Sequence, residues 1–189
     1  MKKFLLALAL VCAATSASAQ KSGAVFGIEI GKGGEIVLPG TNSNLHEGDS
    51  MAMKIGYEQA LSDLLSVRAT IAYAGRQDSR LEDRTSEFPL NLLGFVTFGK
   101  HKVGLGATYH TQRDLDATFT SGAKVSYRAE NAVGAKAEYN YVFDNRLYLG
   151  AFYEHVKYNY KDRKSNDGFG LPDQKYDGAS LGITLGYLF

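Results

Sequence analysis

Four histidines, His46, His101, His110 and His155, are the side chains best suited to move a proton near neutral pH. An acid–base or nucleophilic site would need one of them within reach of a hydroxyl or a carboxylate. His110 and His155 have such neighbours in Tyr109-His110-Thr111 and Glu154-His155. In an extended chain, however, Glu154 and His155 point to opposite faces. The four histidines are too scattered for a recognisable metal motif. A single cysteine, Cys12, excludes an intrachain disulfide and a Cys-rich zinc site. These residues therefore predict no catalytic group, no cofactor and no metal, and His110 and His155 read as isolated side chains near strand ends.

A second group carries charge: Glu29, Lys54, Glu58, Arg68, Lys136, Glu138 and Glu154. Five of them stand between apolar neighbours, and Glu58 and Glu154 each follow the last apolar residue of a series, Tyr57 and Tyr153, so all seven fall on the polar faces of strands. Four acids and three bases in one enclosed space interlock as ion pairs, because an unpaired buried charge is expensive. The functional counterpart of that reading is an ion path or proton relay.

Period-two alternation positions these residues. Apolar residues recur at every second position in eight segments. These run from Ala24 to Ile30, Met51 to Tyr57, Leu65 to Tyr73, Phe88 to Phe98, Val103 to Tyr109, Val133 to Phe143, Leu147 to Tyr153, and Ala179 to Phe189. No stretch from residue 23 on sustains a helical period. The links alternate strictly between short (61–64, 99–102, 144–146) and long (33–49, 75–86, 112–129, 161–177). Such sorting suits an antiparallel barrel whose ends face different compartments, with short turns at one end and long loops at the other. The long stretches, rich in Gly, Asn, Asp and Arg, read as loops.

The polar faces decide the solvent. They carry charged residues and nine glycines, including Gly27, Gly104, Gly106, Gly182 and Gly186. Glycine weakens a water-facing strand but has a use where side chains crowd inside a narrow barrel. An apolar exterior and polar interior define a transmembrane barrel; a lipocalin-like barrel has the opposite arrangement. With the amino terminus at the short-turn end, the downward strands finish on Tyr57, Phe98, Phe143 and Phe189. The upper ends offer Tyr73, Phe88, Tyr109 and Tyr153, forming a second aromatic girdle. The expected fold is all-β, an eight-stranded antiparallel up-and-down transmembrane β-barrel.

Ahead of this lies a secretory leader: Lys2 and Lys3, the apolar run Phe4–Ala14, and the small-residue site Ala17-Ser18-Ala19. Residues 1–19 are expected to be cleaved, leaving one domain, residues 20–189. Twenty-one Lys and Arg against 20 Asp and Glu lack the basic excess of a nucleic-acid-binding module.

At this point the chain resembles the small eight-stranded outer-membrane β-barrels of the OmpA/OmpX type, the "porin family" proteins of Gram-negative bacteria. The likeness covers residues 20–189 and rests on the pattern, the leader and the ending Leu185-Gly-Tyr187-Leu-Phe189. It implies an outer-membrane location and handling by the barrel-assembly machinery, with Leu185, Tyr187 and Phe189 as the assembly signal. The peptidoglycan-binding domain that follows the barrel in OmpA is not implied. Some barrels of this size modify lipid A through a histidine with a serine or an acid, but the deacylase's His-x-Ser-Asn pattern has no counterpart at His110 or His155. The expectation is a monomeric, non-enzymatic barrel with a structural or surface-interaction role, touching outer-membrane lipids and lipopolysaccharide. Arg76, Lys157 and Lys161 stand at loop bases, where cations pair with lipid phosphates. The alternatives are a small diffusion porin and a lipid A-modifying enzyme.

Overall fold

The computed structural model describes residues 22–34, 49–78, 83–111, 113–118, 124–165 and 174–189. The expected leader, residues 1–19, and His46 lie outside them. Twelve strands are present among the described residues: β1 (Gly23–Gly33), β2 (Ser50–Ala60), β3 (Leu65–Asp78), β4 (Asp83–Glu87), β5 (Pro89–Phe98), β6 (His101–His110), β7 (Asp114–Thr118), β8 (Lys124–Ala129), β9 (Ala132–Val142), β10 (Leu147–Ser165), β11 (Gln174–Asp177) and β12 (Ser180–Leu188).

Eight of them close a barrel. Antiparallel neighbours run β1-β2-β3-β5-β6-β9-β10-β12, and β12 returns to β1 with Phe26 opposite Tyr187 and Ile30 opposite Ile183. Closure satisfies every strand edge, the condition for crossing a bilayer without open backbone groups. Phe189 extends the seam, its amide donating to the Ala24 carbonyl at 2.9 Å.

The alternation sorts side chains as expected for an inverted barrel. Large apolar residues are exposed on all eight wall strands, among them Ile55, Leu105, Val133 and Leu181 at 63, 68, 72 and 65 %. An exposed apolar band around a whole barrel cannot face water; it spans a membrane. Tyr57, Phe98, Phe143 and Phe189 are exposed at the short-turn end, and Tyr73, Phe88, Tyr109 and Tyr153 at the other.

Two expectations need correction. The stretches 75–86, 112–129 and 161–177 are not simply loops, because they contain β4, β7, β8, β11 and the upper parts of β3 and β10. Above short breaks at Phe88, Thr111 and 130–131, β4, β7 and β8 prolong the wall in the order β3-β4-β7-β8-β10, with β11 on the far side of β10. Outside the bilayer neither face of a strand must be apolar, so these strands lack the period-two signature. The second correction concerns the link read as 99–102. β6 begins at His101, which puts Lys102 inside the barrel.

Candidate functional site

The polar faces meet in the lumen, where acids and bases alternate along one path. Lys102 at the short-turn end bonds Glu58. Arg68 Nε donates to Glu58 Oε2 at 2.9 Å, and its Nη1 donates to Glu138 Oε1 at 2.8 Å. Lys54 Nζ bridges Glu138 at 3.3 Å and Glu29 at 2.7 Å. Lys136 Nζ bridges Glu29 at 2.7 Å and Glu154 at 3.4 Å. His110 Nε2 lies 3.3 Å from Glu154, while its Nδ1 lies 2.8 Å from Glu87. Arg113 closes the path on Glu87 at 3.1 Å. Basic and acidic groups thus alternate from one rim to the other, and each charge is held by neighbours of opposite sign, as a low-dielectric lumen requires.

Aromatic rings fill the space beside the charges. The Arg68 guanidinium lies 4.4 Å from the Phe95 ring centre and 5.0 Å from that of Tyr148; Lys136 stands 4.5 Å from Phe152. Two wall glycines make room for these rings. A Cβ on Gly104 would come within 2.4 Å of Phe95, and one on Gly186 within 2.3 Å of Tyr148. Glycine therefore serves here by its missing side chain.

All seven charged residues named from the sequence face this lumen. Four partners were not anticipated: Lys102, Glu87, His110 and Arg113. Lys102 continues the series Gly104, Gly106, Thr108, His110 by two residues, so the alternation carried its position. His110 is not an isolated interfacial side chain but a buried member of the path, which corrects the histidine reading. Glu87 and Arg113 flank the breaks in the wall, where alternation stops being informative.

His110 also completes an arrangement with a chemical precedent. Thr108 Oγ1 lies 2.9 Å from His110 Nε2, and His110 Nδ1 lies 2.8 Å from Glu87 Oε2, the order hydroxyl, imidazole, carboxylate. Thr108 and His110 are only 1 and 2 % exposed, so their polar atoms are enclosed by the lumen and closed to a lipid substrate in this state. Glu154 competes for the same imidazole nitrogen. Elsewhere, His155 faces outward with Nδ1 3.4 Å from Asp177, and His101 faces outward at the short-turn end. Lys157 is exposed on the outer face of β10, opposite Asp177 in the register. The side chains of Arg76 and Lys161 lie outside the described residues. At the short-turn mouth, a cavity of about 270 Å³ is floored by Glu58 and Lys102 and rimmed by Ser62, Thr97, Arg146 and Phe189.

No protein-family model matches the chain, and no curated protein does. Among solved structures it is similar to Neisserial surface protein A (NspA), with a TM-score of 0.57 at 12 % identity over 90 % of this chain and 98 % of that one. The likeness is one of fold. A major outer membrane protein from Thermus thermophilus also aligns, with a TM-score of 0.43 at 14 % identity over 87 % of this chain and 99 % of that one.

Proposed function

We propose that this chain is an outer-membrane barrel protein of a Gram-negative bacterium with a structural or surface-interaction role. It would act as a non-enzymatic monomer inserted by the barrel-assembly machinery. The observation that carries the reading is the filled lumen. Lys54, Glu58, Arg68, Glu138, Asn140 and Thr184 are each exposed by no more than 2 %, so a continuous water column has no place at their level. This disfavours a diffusion porin. The enclosure of Thr108 and His110 disfavours a lipid A-modifying enzyme. What the barrel offers its surroundings is the apolar wall and the prolonged strands above it. Lipopolysaccharide phosphates are the proposed contact of Arg76, Lys157 and Lys161; of these, Lys157 stands on the outer face four residues beyond the girdle residue Tyr153.

Fractionation and complementation test the reading together. The protein should partition with the outer membrane and run on SDS gels with heat-dependent mobility. A deletion strain should gain sensitivity to detergent or bile, or lose adhesion, with unchanged lipid A masses. Recovery in the soluble periplasm would overturn the location, and a changed lipid A mass would replace the role with the enzyme.

A further inference from the structure

His101 is an exception on the barrel's outer wall. Around it, at the short-turn end, the outward positions are Phe98, Val103, Tyr139, Tyr141 and Phe143. An imidazole in such a setting has two polar nitrogens to satisfy at the edge of hydrocarbon. One is satisfied: Nδ1 lies 2.8 Å from the Tyr139 hydroxyl. The ring is braced edge-on against Tyr141, with centroids 5.3 Å apart. Nε2 has no hydrogen-bond partner among the described residues. Next in the chain, the exposed Lys100 ammonium donates to Asp144 at 2.8 Å and keeps two further N–H donors.

We propose that His101, Tyr139 and Lys100 form a seat for the phosphate of a glycerophospholipid in the leaflet at the short-turn end. With the Tyr139 hydroxyl donating to Nδ1, the imidazole proton resides on Nε2 and is offered to a phosphate ester oxygen. Lys100 supplies a second donor of the kind such an oxygen accepts. Phe98, Tyr141 and Phe143 flank the seat with rings, which suits the boundary between acyl chains and headgroups. Donors and apolar flanks together select a lipid phosphate over a free anion, because inorganic phosphate would gain nothing from the rings. The site rests on the membrane-spanning reading of the barrel.

The test uses the purified full-length protein in nonionic-detergent micelles free of other glycerophospholipids; phosphatidylcholine vesicles serve only to verify membrane insertion. Phosphatidylglycerol is titrated in; diacylglycerol with the same chains and inorganic phosphate serve as separate arms. Native mass spectrometry counts retained lipid, and NMR follows the His101 side-chain nitrogens. Wild type should retain phosphatidylglycerol about tenfold better than His101→Leu, the weight of one charge-assisted hydrogen bond. Tyr139→Phe, which frees the imidazole to turn, should fall between the two. Asp144→Asn should raise retention by releasing Lys100 toward the phosphate, a response that a plain girdle residue would not produce. Heat-dependent gel mobility verifies that each variant folds, and should His101→Leu fail to fold, Tyr139→Phe and Asp144→Asn carry the test.

Equal retention by wild type and the folded variants would overturn the seat. So would a His101 resonance that moves as far with diacylglycerol, or as far with inorganic phosphate as with the lipid; the last result would mark a free-anion site. Failure of the wild type to enter vesicles at all would overturn the membrane reading, and the seat with it.

Discussion

Arg68 Nη1 lies 2.8 Å from Glu138 Oε1, joining β3 to β9 across the barrel interior. The same guanidinium holds Glu58 and rests against Phe95. Arg68→Ala removes one cation from between two buried carboxylates and withdraws a face from two rings. The expected loss is about 3–5 kcal/mol, the cost of breaking a buried pair by removing one partner. Arg68→Lys should lose less, since the charge stays while the two-carboxylate fork is lost. The temperature at which the compact gel band converts to the unfolded one measures both.

Phe95 and Gly104 make a separate test of lumen packing. A Cβ at position 104 would lie 2.4 Å from the Phe95 ring, so the ring must move into space that Arg68 occupies. Gly104→Ala should destabilise by about 1–3 kcal/mol, as overpacking does. Phe95→Leu in the same chain should recover part of that loss, and a double-mutant cycle would show the coupling.

How much of this was legible in the sequence differs between residues. Arg68 and Glu138 were readable as lumen groups because each alternates with lipid-facing residues. Their pairing was not, because Lys54 reaches both Glu29 and Glu138, 25 and 84 residues away. Which acid a base meets depends on strand stagger and on side-chain direction, and neither leaves a trace in the period. β4, β7 and β8 were invisible for a different reason. Above the membrane both faces of a strand can be polar, so pairing there is a backbone property without a hydrophobic pattern. Alternation puts His110 on the same face as Thr108 and Glu154, but its partners Glu87 and Tyr158 come from the prolonged wall, whose strands leave no such pattern.

Arg113 holds that wall to the barrel. Its Nη1 lies 3.1 Å from Glu87 Oε1 and 3.3 Å from the Tyr158 hydroxyl, linking the break after β6 to β4 and β10. Arg113→Ala should loosen the strands above the breaks while leaving the membrane part folded, because the ion pairs from Lys102 to Lys136 do not include it. Amide exchange in β4, β7 and β8 should rise, with little change in β1, β2 and β12. Equal acceleration throughout would mean that the wall and barrel open as one unit.

Phe189 ends the barrel seam. Its amide bonds Ala24, and its ring packs edge-on to Tyr187 with centroids 4.8 Å apart. Deleting Phe189 removes one seam hydrogen bond, a girdle ring and the last residue of the expected assembly signal. The amount of inserted, heat-modifiable barrel should fall far more than after changing a residue of the stretch 161–177 such as Asn166. Insertion at the wild-type level would leave Phe189 with a girdle role only.

Planar-bilayer recording of the purified protein addresses the filled lumen directly. A water-filled pore needs either more strands or smaller inward side chains than these, and eight strands enclose a space about as wide as the side chains that fill it. Here the constriction is built in layers: Lys102 with Glu58, then Arg68 with Glu138 against Phe95 and Tyr148, then Lys54, Glu29 and Lys136 beside Phe152. An ion entering from the short-turn cavity meets the first layer at its floor. To pass, it would have to displace groups already paired with each other, and water cannot precede it where exposure is 2 % or less. The wild type should therefore conduct poorly or not at all. Removing one layer leaves the others in place, so Arg68→Ala alone should raise conductance only slightly. Arg68→Ala combined with Phe95→Ala and Tyr148→Ala opens the central layer and should raise it further, provided that the compact gel band shows the barrel still closed. Stable wild-type conductance of the size of an open aqueous pore would promote the diffusion porin over the structural role.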